Sequence, residues 1–317
     1  MKYLFTPLTT LKSKLFAILA VGLLAGPMAV QADYDFQLID YPGAPDTQVF
    51  GVNDLGDVVG NGNTNTSSFP FVYASKKGTF TDVAPAAGYD STSVFGITDS
   101  GVMVGSVLSL DPSATSGFIR GKDGTYTVFS HPEAPSFTQA RGVNNKGLVS
   151  GFRIISTSFR AGFIYDPTTE TFTDFVAALF TIAHGINSKG EVVGSAQFIN
   201  ADDPCPGSLG PVLRYAWRRA ADGSVSYFQV NGWNTRARGI NDAGWVVGFV
   251  TDPNDGKFKG FKVKLDGSPC QSLTVASSDL LEFPGFDDTI PEGITNSGVI
   301  VGIVRDANSL GFIATPQ

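Results

Sequence analysis

Residues 51–60 read "GVNDLGDVVG", and nearly the same ten residues return five more times. They recur as "GITDSGVMVG" (96–105), "GVNNKGLVSG" (142–151), "GINSKGEVVG" (185–194), "GINDAGWVVG" (239–248) and "GITNSGVIVG" (293–302). Successive phrases start 45, 46, 43, 54 and 54 residues apart. That period is too long for one coil of a β-helix. It suits a propeller blade of four strands, which takes about 40–50 residues.

The inside of one repeat agrees. In the second, "TSVFGIT" reads as an apolar, β-branched first strand and "DSGV" as a turn, with Gly101 where φ > 0 is needed. "VMVGSV", "SGFIRG" and "TYTVFS" supply three more strands, and "HPEAPSF" leads into the next unit. Each phrase is then the hairpin between the first two strands of a blade. A threonine precedes each phrase by four residues (Thr47, Thr92, Thr138, Thr181, Thr235, Thr289). An aromatic marks each third strand (Phe71, Phe118, Phe163, Trp217, Phe261, Phe312). Both sets read as packing residues, because a blade shields its apolar faces only against its neighbours.

The last unit shows three strands, within 289–314, and lacks a fourth. "YDFQLIDYPG" (34–43) aligns with the fourth strands of the other units, so the N-terminal strand is expected to complete the C-terminal blade. Closing the ring in this way hides sheet edges. The expected fold is all-β: a six-bladed propeller as one domain over residues 33–317. The pattern G-[IV]-[NT]-x-x-G-x-[VIM]-[VS]-G, followed by a third strand such as "GFIR", "GFIY", "AWRR", "GFKV" or "GFIA", resembles the HAF-type extracellular repeats of exported bacterial proteins. The family's third-strand histidine is not found here. The resemblance implies export and a repeat fold, and no established activity.

Residues 1–32 stand apart. Lys2, Lys12 and Lys14 precede the apolar stretch "LFAILAVGLLAG", and Val30 and Ala32 place small residues before a cleavage site after Ala32. This reads as a secretory signal peptide, the apolar run being too short to span a bilayer. Its removal takes three lysines and no acid, leaving 19 Lys+Arg against 29 Asp+Glu, a net charge of −10. So acidic a chain is not expected to bind nucleic acid, and no stable membrane insertion is expected. A secreted or periplasmic location follows.

Candidate site residues come from positions that vary while their neighbours hold still. Immediately before the phrase stand Phe50, Phe95, Arg141, His184, Arg238 and Glu292. Two residues earlier stand Gln48, Ser93, Gln139, Ile182, Arg236 and Ile290, on the same side of a strand with period-two alternation. First strands line a propeller's channel, so Arg141, Arg236 and Arg238, with Gln48 and Gln139, form a candidate site for an anionic small molecule, glycan or protein group. His184 and Glu292 are the candidate catalytic pair, His184 as proton shuttle and Glu292 either orienting it or acting as the partner base. The primary reading is a binding module without catalysis. The rival is a polysaccharide lyase or glycoside hydrolase acting through Arg141, His184, Arg238 and Glu292. His131, before Pro132, reads as an exposed loop residue. No cofactor fingerprint, metal-ligand spacing or nucleophile elbow is present.

Cys205 and Cys270 lie in two insertions that lengthen adjacent units, and one pair in an oxidising compartment is expected to bond. The first insertion joins strands two and three of its blade, the second strands three and four. These turns belong to opposite ends of a blade, so a bond requires an insertion to wrap over an outer edge.

Overall fold

Every phrase folds as the predicted hairpin. In the computed structural model, residues 34–199, 204–205 and 212–317 are described; the expected signal peptide lies outside them. The sixth residue of each phrase (Gly56, Gly101, Gly147, Gly190, Gly244, Gly298) turns the hairpin at φ between +80° and +90°, where a Cβ would be strained. The phrase's third residue organises the same turn. The Asn53 Oδ1, for example, accepts hydrogen bonds from the Leu55 and Asp57 backbone N–H groups at 3.1 and 2.8 Å.

Six sheets follow from six hairpins. Blade one holds β2 (Asp46–Val52), β3 (Asp57–Asn63), β4 (Ser68–Ala74) and β5 (Thr79–Asp82). Blade two holds β6 (Ser91–Ile97), β7 (Met103–Leu110), β8 (Ser113–Arg120) and β9 (Tyr126–Phe129). Blade three holds β10 (Thr138–Val143), β11 (Val149–Ser156), β12 (Phe159–Asp166) and β13 (Thr171–Phe175). Blade four begins with β14 (Leu179–Ile186), β15 (Val192–Ile199), β16 (Val212–Arg219) and β17 (Val225–Val230). Blade five contains β18 (Asn234–Ile240), β19 (Trp245–Thr251) and β20 (Phe258–Lys264). Blade six contains β22 (Asp288–Ile294), β23 (Ile300–Arg305) and β24 (Ser309–Pro316).

The ring closes as expected. β1 (Tyr34–Ile39) pairs antiparallel with β24, from Tyr34 opposite Pro316 to Ile39 opposite Gly311. The apolar core lies between blades. Six buried clusters each join two neighbours, Val59 with Val94 and Phe118, for instance, and Val301 and Ile313 with Val49 and Phe71. All six third-strand aromatics are fully buried. The six threonines pin the connections between blades: the Thr47, Thr92, Thr138 and Thr289 hydroxyls accept from Tyr41, Ala86, His131 and Phe283 backbone N–H groups at 2.8–3.0 Å.

Blade five departs from the four-strand expectation. Its fourth strand is replaced by a single bridge between Gly260 and Leu281. The insertion after β20 instead forms β21 (Cys270–Leu273), which adds to blade four as a fifth strand, parallel to β17. This is the wrapped outer edge that a cysteine bond required. Cys205 and Cys270 form a disulfide with Cα atoms 5.6 Å apart, within the range for an unstretched bridge.

Candidate functional site

Every first strand carries the same irregularity. The ladder between first and second strands skips the residue before the phrase: Phe50, Phe95, Arg141, Arg238 and Glu292 each fall in a register shift, as do His184 and Gly185. A β-bulge re-aims a side chain out of the regular alternation. Six bulges thus deliver these six variable side chains to the axis, where they line one cavity of ≈ 130 Å³.

The glycine that follows each bulge lets the strands approach. A Cβ on Gly185 would lie 2.8 Å from the Arg238 carbonyl oxygen and 3.0 Å from the Gly239 Cα. Beyond the glycines come two polar belts. Asn53, Asn144, Asn187 and Asn241 each donate through Nδ2 to the backbone carbonyl of the matching residue in the next blade, at 2.9–3.1 Å. In the outer belt the Asp54, Asp99, Ser188, Asp242 and Asn296 backbone N–H groups donate to Oδ1 of Asp99, Asn145, Asp242, Asn296 and Asp54. The link from Asn296 to Asp54, 2.7 Å, joins blade six to blade one.

Charge is unevenly distributed around the axis. Arg238 occupies the centre: its Nη1 lies 3.1 and 3.0 Å from the two ring nitrogens of His184, and its Nε 3.6 Å from Glu292 Oε1. His184 and Glu292 are therefore bridged by an arginine. Burial, reinforced by Arg238, Arg141 and Arg236, holds the His184 imidazole well below its usual pKa, so it is neutral at neutral pH. Burial raises the Glu292 carboxyl although Arg238 and Arg141 oppose the shift. Arg141 lies over the Phe95 ring at 4.4 Å, and its buried Nε has no hydrogen-bond partner among the described residues. Burial, with the Arg238 charge adding to it, lowers the Arg141 guanidinium to about 10.

Not all candidates meet. Arg141, His184, Arg238 and Glu292 share the cavity lining, whereas Gln48, Gln139 and Arg236 lie outside it. The bulge is the reason, since it breaks the alternation that would have put both sets on one side. Gln139 instead donates to Ser106 Oγ at 3.3 Å. Arg236 lies over Phe249 and Phe258, at 5.2 and 5.9 Å.

His131 corrects its reading as an exposed loop residue. It is 3% exposed, and it packs edge-on against Phe172. Its Nδ1 accepts from the Glu133 N–H at 3.1 Å and its Nε2 faces Asp174 at 3.2 Å. Arg153 Nη2 lies 2.8 Å from both Glu133 Oε2 and Asp174 Oδ2. The threonine motif could have revealed this burial: Thr138 accepts from the His131 backbone N–H at 2.8 Å and ties the loop inward.

The chain matches no protein-family model, and no curated protein matches it. Several solved structures resemble it at low identity. A streptogramin B lyase aligns over 90% of this chain and 98% of its own, with 11% identity and a TM-score of 0.47. A gluconolactonase of Xanthomonas campestris aligns over 92% and 93%, with 10% identity and a TM-score of 0.49. The propeller domain of a Pyrococcus furiosus protease aligns over 86% and 97%, with 9% identity and a TM-score of 0.48. The likeness is one of fold. Among the described residues no helix is long and apolar enough to cross a membrane.

Proposed function

We propose that the protein is an exported binding module that holds a small anion on its axis and carries out no chemistry of its own. The carrying observation is Arg141: a half-buried side chain, stacked on Phe95, whose buried Nε finds no acceptor among the described residues. An anionic oxygen would satisfy it and offset the cost of an unpaired buried donor. Arg238 supplies a second guanidinium, and neutral His184 supplies polar contact without further charge. Glu292 is engaged by Arg238, and the Asp54, Asp99 and Asp242 carboxylates that also line the cavity accept the hydrogen bonds of the outer belt. A cavity of ≈ 130 Å³ is well below the about 300 Å³ at which sites for drug-sized ligands begin, which favours a carboxylate or sulfate group over an enclosed sugar chain. Export is supported by the N-terminal apolar stretch and by the Cys205–Cys270 bond, which persists in oxidising compartments.

Calorimetric titration with acetate, malonate, sulfate and galacturonate tests the reading. At least one is expected to bind, and Arg141→Gln is expected to weaken it about tenfold or more, the worth of one charge-assisted contact. Unchanged affinity in a folded Arg141→Gln protein would move the site elsewhere.

A further inference from the structure

One small anion on the axis leaves three more arginines unanswered. Arg160 in β12, Arg214 in β16 and Arg236 in β18 stand opposite Ile154, Gln197 and Phe249, all at the end of blades three to five where the first strands begin. Their charges reach one another and the axis: Arg160 acts on Arg141 and Arg214, and Arg214 and Arg238 act on Arg236. None of the three has a carboxylate partner among the described residues. Arg214 donates to Gln197 Oε1 at 3.0 Å and Arg236 to Thr251 Oγ1 at 3.4 Å, while Arg160 lies over Phe152 and Phe180 at 5.7 and 5.3 Å.

The rings interleaved with these arginines also matter. Phe180 sits at φ +50°, a conformation bulky residues rarely adopt, and the β14 ladder skips it between Leu179 and Ile182. Phe180 and Phe258 are half-buried, each beside an arginine. A protein of net charge −7 in its full sequence has therefore gathered a positive, ring-studded band on one end of three consecutive blades.

We propose that this band is a second subsite, and that the ligand is an acidic oligosaccharide with a carboxylate on successive sugar units. One terminal carboxylate reaches the Arg141 and Arg238 guanidiniums from this same end of the blades, where they lie over Phe152 and Phe249 at 5.8 and 5.3 Å. The following carboxylates meet Arg160, Arg214 and Arg236, and the apolar faces of the sugar rings lie against Phe180 and Phe258. An acidic peptide would satisfy the arginines and leave the rings without a flat apolar partner. The proposal rests on the anion-binding reading above.

The test compares galacturonate, hexagalacturonate and hexaglutamate by calorimetry on the intact mature protein at low salt. Hexagalacturonate is expected to bind at least about tenfold more tightly than the monomer, and the gap is expected to shrink as salt rises. In the double variant Arg160→Gln, Arg214→Gln, checked for folding by its thermal melt, the hexamer-to-monomer ratio is expected to fall towards one. Equal affinity of monomer and hexamer for the unmodified protein overturns this proposal and leaves the axial site standing. Equal binding of hexaglutamate overturns the sugar class. Failure of every monoanion overturns the axial reading itself.

Discussion

Arg238 decides the character of the axis. By touching both His184 and Glu292 it prevents them from forming a proton-transfer pair with each other, and its charge helps keep the imidazole unprotonated. The pH consequence has a definite sign. The folded His184 has a pKa below the ordinary 6.5, so below that pH the unfolded chain takes up a proton that the folded chain refuses. Stability is full above pH 6.5 and is lost as the pH falls. His131, also lowered by burial, contributes in the same direction. Glu292, raised by burial, works oppositely: the folded carboxyl keeps a proton that the unfolded one releases above 4.5, so its contribution is lost as pH rises through the folded value. Urea unfolding at pH 7.5 and 5.5 should show His184→Gln losing about 1 kcal/mol less than the unmodified protein on acidification. An identical loss in both would contradict a neutral, buried His184. The sequence marked Arg141, His184, Arg238 and Glu292 because they vary at a fixed position in a constant frame. It could not reveal that Gln48, Gln139 and Arg236 part from them, since a bulge leaves no residue signature and only the ladder register shows it.

At the level of strands, the hairpin motif carried nearly everything. Glycine at the turn, an apolar alternation on either side and a buried aromatic on the third strand are local requirements, repeated in each blade, and so they are legible without coordinates. β21 is the exception. Its residues, "CQSL", have no feature that chooses between the edge of β20 in their own blade and the edge of β17 in the preceding one. What chooses is long-range: the bond to Cys205 and the pairing of Asn231 with Val275, whose backbone N–H and carbonyl meet the Asn231 amide at 2.9 and 3.0 Å. Cys205→Ser, Cys270→Ser removes a cross-link 65 residues in span and is expected to cost about 2–4 kcal/mol on thermal or denaturant unfolding. A greater loss of amide-exchange protection at 270–273 than in β17 should accompany it. Uniform loss across blade four would mean that the bond supports the whole sheet and not the diverted strand. β20 is bridged on its outer flank only at Gly260, and it carries the exposed Lys264, a charge of the kind that discourages foreign strands from pairing at an edge.

Across the whole molecule, the apolar clusters sit between blades and the polar belts run around the axis, so each sheet depends on both neighbours. The termini obey the same rule, with β1 sealing blade six and Asn296 reaching Asp54. A protein beginning at residue 44 should therefore lose more than one strand's worth of contacts: it exposes the β24 edge and uncovers Phe312 and Val301. Light scattering after size exclusion is expected to show oligomers or aggregate. A monodisperse monomer with an unchanged melting temperature would show that closure contributes little.

The sealing strand is made before the six hairpins, and its partner stands more than 270 residues further along, with Tyr34 facing Pro316. Until β24 exists, the growing chain is an arc with two raw ends, and such distant pairings are slow to form. Its interval of greatest danger from sticking to other chains thus lasts until the sixth sheet is made, and a cell that makes this protein has reason to keep the newborn chain accompanied until then.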